Sequence, residues 1–316
     1  MAGTESFVFY LVDEFAHLSF SCAVEPLRIA NLVSGKPLYE WSFASENGET
    51  ALSNNGTVVR VHGGFDQPVK ADRLFLLAGS NMRNHMTKRL LSALRRERSH
   101  GTPVGALCSA AYILAYAGML DGMRAAIHWA YHDLFVEEFP NVELVPNVFV
   151  ADEKIITSSG GTATADLMLH LMGETHGADL ANEVADQMVY NTVREASATQ
   201  KVSVQARHGM RNPHLTQAVQ IMSESIEDPV PTAEVARQVG ISTRQLERLF
   251  GQYLERSPSK YYLEMRLQRA RNLLLQSEKS VTEIAVATGF RSTTHFARVY
   301  RGLFGVSPGG QRARLT

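Results

Sequence analysis

Across the first two hundred residues, short apolar runs alternate with longer stretches of helical periodicity. FVFYLV (Phe7–Val12), LFLLA (Leu74–Ala78), PVGAL (Pro103–Leu107) and KIITS (Lys154–Ser158) read as buried strands. Between them, Ser19–Val33, His85–Ser99, Ser109–Ala117, Ala163–Glu174 and Asp179–Tyr190 space their apolar residues as helices do. This alternation predicts an α/β fold, a mostly parallel sheet covered by helices. In open sheets of this kind a site forms beyond the C-terminal ends of the strands. The loops Asp13–Leu18, Gly79–Asn84, Cys108–Ala110 and Ser159–Thr162 are therefore expected to converge.

The pattern changes at Asn191. NTVREASATQKVSVQARHGMRNP (Asn191–Pro213) loses apolar periodicity and reads as a linker, assigned to residues 193–212. Beyond it only helices are predicted, beginning with His214–Ile226, which Asp228-Pro229 stops. One layout then occurs twice. TAEVARQVGISTRQLERLFGQYL (Thr232–Leu254) and VTEIAVATGFRSTTHFARVYRGLFG (Val281–Gly305) each give a short helix, a glycine turn and a second helix. Ala236 and Ala285 are small where two helices would cross, and Ser242 and Ser292 are N-cap types. Leu246, Leu249 and Phe250 form one apolar face; Phe296, Val299 and Tyr300 form its counterpart. Two helix-turn-helix units in tandem are predicted, joined by a helix that opens at Pro258. Roughly 18 residues make that helix about 27 Å long, a spacer suited to successive major grooves about 34 Å apart.

Charge sharpens the division. The 316 residues carry a net charge of −1, but residues 1–200 hold 14 Lys and Arg against 23 Asp and Glu. Residues 201–316 hold 17 against 9. An acidic body with a basic end predicts that only the second part meets a polyanion, and the tandem helix-turn-helix units make double-stranded DNA the expected one. Two cysteines, Cys22 and Cys108, make no disulfide framework and suit a reducing cytoplasm. The N-terminus lacks a signal-peptide pattern, and the uncharged stretch Thr102–Leu120 is broken by Pro103 and Gly105, so no membrane span is expected. Neither a metal nor a cofactor is called for.

PVGALCSAAYILAYAG (Pro103–Gly118) is the stretch with the most chemistry in it. A strand delivers Cys108 to a sharp turn at a helix N-terminus, an arrangement that exposes a thiol and lowers its pKa. The same geometry also makes a binding pocket. Helix starts at Ser109–Ala110 and Gly161–Thr162 would offer backbone N–H groups to a carboxylate. Glu25, a loop acid or the face of Trp129 would receive a positive group, with His128 alongside.

GALCSAAYILAYAGMLDGMRAAIHW and DEKIITSSGGTATADLMLHLM resemble the PfpI/ThiJ group, with its class I glutamine-amidotransferase-like, flavodoxin-like fold. The resemblance covers most of a domain placed at residues 5–192. Hydrolytic members of that group carry a His directly after the cysteine, where this chain has Ser109. They also place a Glu in the loop after the first strand, where alignment puts Ser19. A thiolate needs a base or a cation to form it, so the resemblance implies binding rather than catalysis here. The ligand positions are then Glu25, Cys108, Ser109, Ala110, His128, Trp129, Gly161 and Thr162. An amidase, glyoxalase-like or deglycase enzyme using Cys108 is the competing reading, and redox sensing through an exposed Cys108 is another.

Residues 213–316 resemble the AraC-type DNA-binding domain through GFRSTTHFARVYRGLFGVSP, departing from it at Gly309-Gly310-Gln311-Arg312. That resemblance implies base-facing positions at Arg244, Glu247 and Arg248 in the first unit. In the second they are Thr293, Thr294 and Arg298, with His295 close by. Ser242, Arg291, Ser292 and Arg301 are then placed for phosphates. The two domains in this order resemble the GlxA-like regulators. EPLRIANLVSGKPLYEW (Glu25–Trp41) is similar to the form found in regulators of arginine, glycine betaine and carnitine catabolism. The resemblance implies a cytoplasmic, homodimeric transcriptional activator. It would respond to a small zwitterionic effector and work with RNA polymerase at a promoter operator. A nucleoid protein with no effector is the third alternative, and it would bind with little sequence preference.

Overall fold

Strand β1 (Glu5–Leu11) lies inside a seven-stranded sheet because both of its faces are apolar. Phe7, Phe9 and Leu11 pack on one side and Val8 and Tyr10 on the other, all buried. The computed structural model describes residues 3–67, 70–152, 155–200 and 212–313, and the chain divides into two units between Gln200 and Lys201.

In the first unit β1 is followed by α1 (His17–Ser34), β2 (Tyr39–Ser45), a hairpin of β3 (Thr50–Leu52) and β4 (Val58–Arg60), and β5 (Gly63–Gly64). Then come β6 (Arg73–Ala78), a 3-10 turn at Met82–His85, α2 (Lys88–Ser99), β7 (Val104–Cys108) and α3 (Ala110–Tyr116). A short pair, β8 (Arg124–Ala125) and β9 (Glu143–Leu144), flanks α4 (His132–Glu138). The unit closes with β10 (Phe149–Ala151), β11 (Ile156–Ser158), α5 (Ala163–His176) and α6 (Ala178–Gln187).

The sheet order is β10-β11-β7-β6-β1-β2-β5. Every neighbouring pair is parallel except β10 with β11. This is the α/β flavodoxin-like architecture that the sequence predicts, with one core on each face of the sheet. Three sheet strands escape the apolar-run pattern, and one of them, β5, is only the two glycines Gly63–Gly64. β2 is partly exposed through its middle, and β10 is three residues on an antiparallel edge. The helix expected from His85 starts at Lys88 instead, because the Thr87 hydroxyl caps it by accepting from the Leu90 N–H at 3.0 Å.

The second unit is all helical among its described residues, as the sequence predicts. It comprises α7 (Pro213–Glu224), α8 (Thr232–Val239), α9 (Thr243–Leu254), α10 (Pro258–Gln276), α11 (Val281–Ala287), α12 (Thr293–Phe304) and α13 (Pro308–Arg312). It has two cores rather than one. α10 belongs to both: Tyr262 packs with α7, α8 and α9, whereas Leu267, Ala270, Leu273 and Leu274 pack with α11 and α12. The tail that departs from the family pattern still folds, as α13, and Arg312 donates to the Lys279 carbonyl.

Candidate functional site

Two regions carry the candidate chemistry, one in each unit. In the second unit, α8 and α9 form one helix-turn-helix and α11 and α12 the other. α9 begins with a reciprocal cap: the Ser242 hydroxyl accepts from the Gln245 N–H at 3.2 Å, and Gln245 Oε1 accepts from the Ser242 N–H at 2.9 Å. α12 begins with Ser292, whose hydroxyl accepts from the His295 N–H at 3.3 Å. Leu246, Leu249 and Phe250 are buried on the inner face of α9, and Phe296 and Tyr300 on that of α12. That burial turns Arg244, Glu247 and Arg248 outward on α9, and Thr293, Thr294, His295, Arg298 and Arg301 outward on α12, none of them buried. Arg291, in the turn, is exposed as well. Ser242 is the exception among the expected phosphate contacts, because its hydroxyl is also within 3.0 Å of Gln245 Oε1 and is committed to the cap.

The two helix-turn-helix units are held at a fixed spacing by α10, 19 residues and about 28 Å long. Arg266 on α10 donates to the carbonyls of Thr288 (2.8 Å) and Gly289 (2.7 Å), which form the turn of the second helix-turn-helix. Its guanidinium lies 4.2 Å from the centroid of the Phe290 ring. The Tyr262 hydroxyl, a turn earlier, donates to the Ser225 carbonyl at the end of α7 (2.7 Å). One helix thereby joins the end of α7 to the turn of the second helix-turn-helix.

In the first unit the four expected loops do meet. Cys108, the last residue of β7, has φ 63, the left-handed region that costs a non-glycine residue about 1–3 kcal/mol. Glu14, after β1, and Asn81, after β6, share that conformation (φ 62 and 55), and Asn81 Nδ2 donates to Glu14 Oε2 at 2.8 Å. Three strained residues thus stand at the ends of three neighbouring strands. Such strain gathers at ligand sites. Gly160 packs on the cysteine so closely that a Cβ there would lie 2.6 Å from Cys108 Cβ. The Ser109 hydroxyl donates to the Gly79 carbonyl (2.6 Å), as does the Tyr131 hydroxyl (3.3 Å), and the His128 N–H donates to the Cys108 carbonyl (3.3 Å).

This geometry corrects several expectations. The elbow pattern predicts an exposed Cys108 with a lowered pKa; the residue is 8% exposed, and burial pushes its thiol up to about 11. The Ser109 N–H and the Ser19 hydroxyl pull the other way, and neither can take the proton. The thiol is therefore neutral near pH 7. Ser19 does stand beside the thiol, as the alignment places it, and its hydroxyl also accepts the Gly161 N–H at 2.7 Å. Two amides expected to face a carboxylate, those of Ser109 and Gly161, are thus already engaged inside the protein. Thr162 Oγ1 accepts from Arg194 at 2.8 Å, and Ala110 is fully buried.

Glu25 is paired elsewhere: its carboxylate accepts from Arg28 Nε and Nη2 (2.9 and 2.7 Å) at the half-exposed surface of α1. The acid at the elbow is Glu14, whose charge adds to the burial that raises the pKa of Tyr131. His128 and Trp129 are half-buried beside it, their rings 5.4 Å apart. Four further residues stand around the elbow: Glu14, Asn81, Tyr131 and Ser19. The sequence signals three of them only loosely, Glu14 as an acid of the Asp13–Leu18 loop, Asn81 as part of the Gly79–Asn84 loop and Ser19 through the alignment, and gives none for Tyr131. Among the described residues no cluster of three His, Cys, Asp or Glu could hold a metal, and no helix is long and apolar enough to cross a membrane.

Comparison with known proteins agrees with both halves. The DJ-1/PfpI family matches residues 6–174, and a helix-turn-helix domain matches residues 235–314. The chain is 38% identical over 308 residues to the HTH-type transcriptional regulator GbdR of Pseudomonas aeruginosa, covering 98% of this chain and 84% of that one. It is 40% identical over 291 residues to the HTH-type transcriptional regulator ArgR of the same organism, covering 92% and 88%. A crystal structure of an AraC family transcriptional regulator from Pseudomonas putida superposes with a TM-score of 0.52 at 24% identity. It spans 58% of this chain and 99% of that one, a likeness of fold alone. A DJ-1/PfpI domain with a neutral elbow thiol, followed by two capped helix-turn-helix units, thus places the chain in the GlxA-like family of AraC-type, DNA-binding transcriptional regulators.

Proposed function

We propose that this regulator activates transcription as a homodimer when a small amino-acid or quaternary-amine metabolite occupies the elbow of the first unit. The observation that carries the reading is the convergence of Glu14, Asn81 and Cys108, three strained residues around a thiol that cannot ionise near neutral pH. Glu14 supplies a negative charge for the cationic end, and the rings of Trp129 and Tyr131 supply faces that attract a quaternary ammonium. The ligand's carboxylate enters by displacing the Ser19 hydroxyl from the Gly161 N–H. No general base is needed for any of this, which favours binding over the cysteine-enzyme reading. Arg244, Glu247 and Arg248 read one major groove, and Thr293, Thr294 and Arg298 read the next. His295 lies beside them, and Arg291, Ser292 and Arg301 hold phosphates.

The test is a thermal-shift screen of the full chain against glycine betaine, carnitine, amino acids and simple carboxylates. A binder raises the melting temperature in proportion to the logarithm of its concentration. Glu14→Gln should abolish the shift for cationic ligands and spare DNA binding. Ligand-induced transcription from the selected operator completes the case for an activator; repression by the same ligand would overturn it.

A further inference from the structure

The first unit does not simply end at α6. From Val193 to Gln200 the chain crosses it as a strap, with one turn closed by the Ala198 N–H donating to the Glu195 carbonyl (2.9 Å), whose residues alternate between exposed and half-buried. This is the opening of the stretch assigned to the linker; residues 201–211 lie outside the described ones. The strap has two anchors. At the first, the fully buried Asp166 of α5 accepts from the Tyr190 hydroxyl (2.9 Å), the Arg194 N–H (2.8 Å) and Arg194 Nε (2.8 Å). Arg194 Nη2 reaches on to Thr162 Oγ1. Thr162 follows Gly161, which Ser19 holds, and Gly160, which packs on Cys108.

At the second anchor the Gln200 N–H donates to the Pro146 carbonyl (3.1 Å), and its side-chain amide donates to the carbonyls of Ile127 and Asn147 (both 2.9 Å). The Val148 N–H donates to the Ala198 carbonyl (2.8 Å). Ile127 precedes His128, whose N–H holds the Cys108 carbonyl. Each anchor therefore grips one wall of the elbow, and the second unit begins where the strap stops. Val193–Ser197 line one side of an open cleft of about 620 Å³ over α5 and α6.

We propose that this strap is the output element of the elbow: a ligand that displaces Ser19 from Gly161 disturbs Thr162, loosens Arg194 from Asp166 and so changes how the linker leaves the first unit. The proposal rests on the reading of the elbow as an effector site, but its structural part is testable without a ligand. Hydrogen exchange on the full chain reports strap docking through the amides of Val148, Arg194 and Gln200. Cys108→Met, which presses on Gly160, should speed their exchange about tenfold or more, the loss expected for a charge-assisted contact. Amides of α2, which touches neither anchor, should keep their wild-type rates.

Where Cys108→Met does not fold, Ser19→Ala removes the Gly161 bond without adding bulk and gives the same readout. Gln200→Ala works from the opposite end and should speed exchange at His128. Faster exchange at Gly160–Ala165 with the strap amides unchanged would overturn the proposal. So would an equal acceleration over the whole unit. Glycine betaine added to the wild-type chain separates this idea from the effector reading. A shift in melting temperature with no change at the strap sinks the strap alone. No binding by any compound of the panel, with coupled exchange in the variants, sinks the effector reading alone.

Discussion

Cys108 shows how little a sequence motif says about ionisation. Its place at a sharp turn between strand and helix is legible in GALCS, where an apolar run gives way to a cysteine and small residues. Its protonation state is not, because burial is imposed by Ser19, Gly160 and Tyr131, which are distant in sequence. With the thiol neutral, Cys108→Ala should leave operator binding of the ligand-free chain within about twofold of wild type, since no thiolate is used there. A larger loss of operator binding would contradict this. The pKa also has a consequence for stability. The buried thiol titrates near 11, against 9.0 for the ordinary group, so between these values the unfolded chain releases its proton first. The stability this group contributes is fully present below pH 9 and is lost as the pH rises through 11. Urea unfolding at about pH 8 and about pH 10.5 should show a drop that is smaller in Cys108→Ala. Glu25 and Glu14 give the opposite lesson: both are acids near the first strand, and only the structure says which one already has an arginine.

Elements are most legible where a pattern is repeated. The two helix-turn-helix units announce themselves through paired glycines, serine caps and apolar faces, and each of these does its expected work. β2 and β10 are not legible, the first because its middle is partly exposed, the second because three residues hold too little pattern. Contacts between elements lie beyond any local pattern, and Gly289 makes one of them. Its φ is +75, and a Cβ there would lie 2.4 Å from Pro229 Cγ, in the loop before α8. Gly289→Ala should therefore destabilise the second unit by about 1–3 kcal/mol from backbone strain alone, with the clash added. Gly251, within α9, has nothing within 4 Å of its would-be Cβ. Gly251→Ala should be stabilising by about 0.5–1 kcal/mol, so denaturant titration of the two variants should move in opposite directions.

The molecule as a whole pairs an acidic DJ-1/PfpI unit with a basic helix-turn-helix unit, and that division is visible in charge before any fold is assigned. The basic half makes binding to any DNA salt-dependent, whereas specificity must come from the few side chains that reach bases. Arg248→Ala should relax preference at one base pair by ~1–3 kcal/mol and leave the other positions unchanged. Uniform weakening at every site would make Arg248 a phosphate contact instead. The decisive measurement is binding selection of the full chain from random duplex DNA, repeated with Arg248→Ala and Arg298→Ala. We expect two sequence elements about 10–10.5 base pairs apart, centre to centre, as α10 would space two reading helices, with each variant relaxing one of them. A single element, or enrichment of no sequence at all, would contradict tandem reading by α9 and α12 and leave a protein that binds DNA without addressing it.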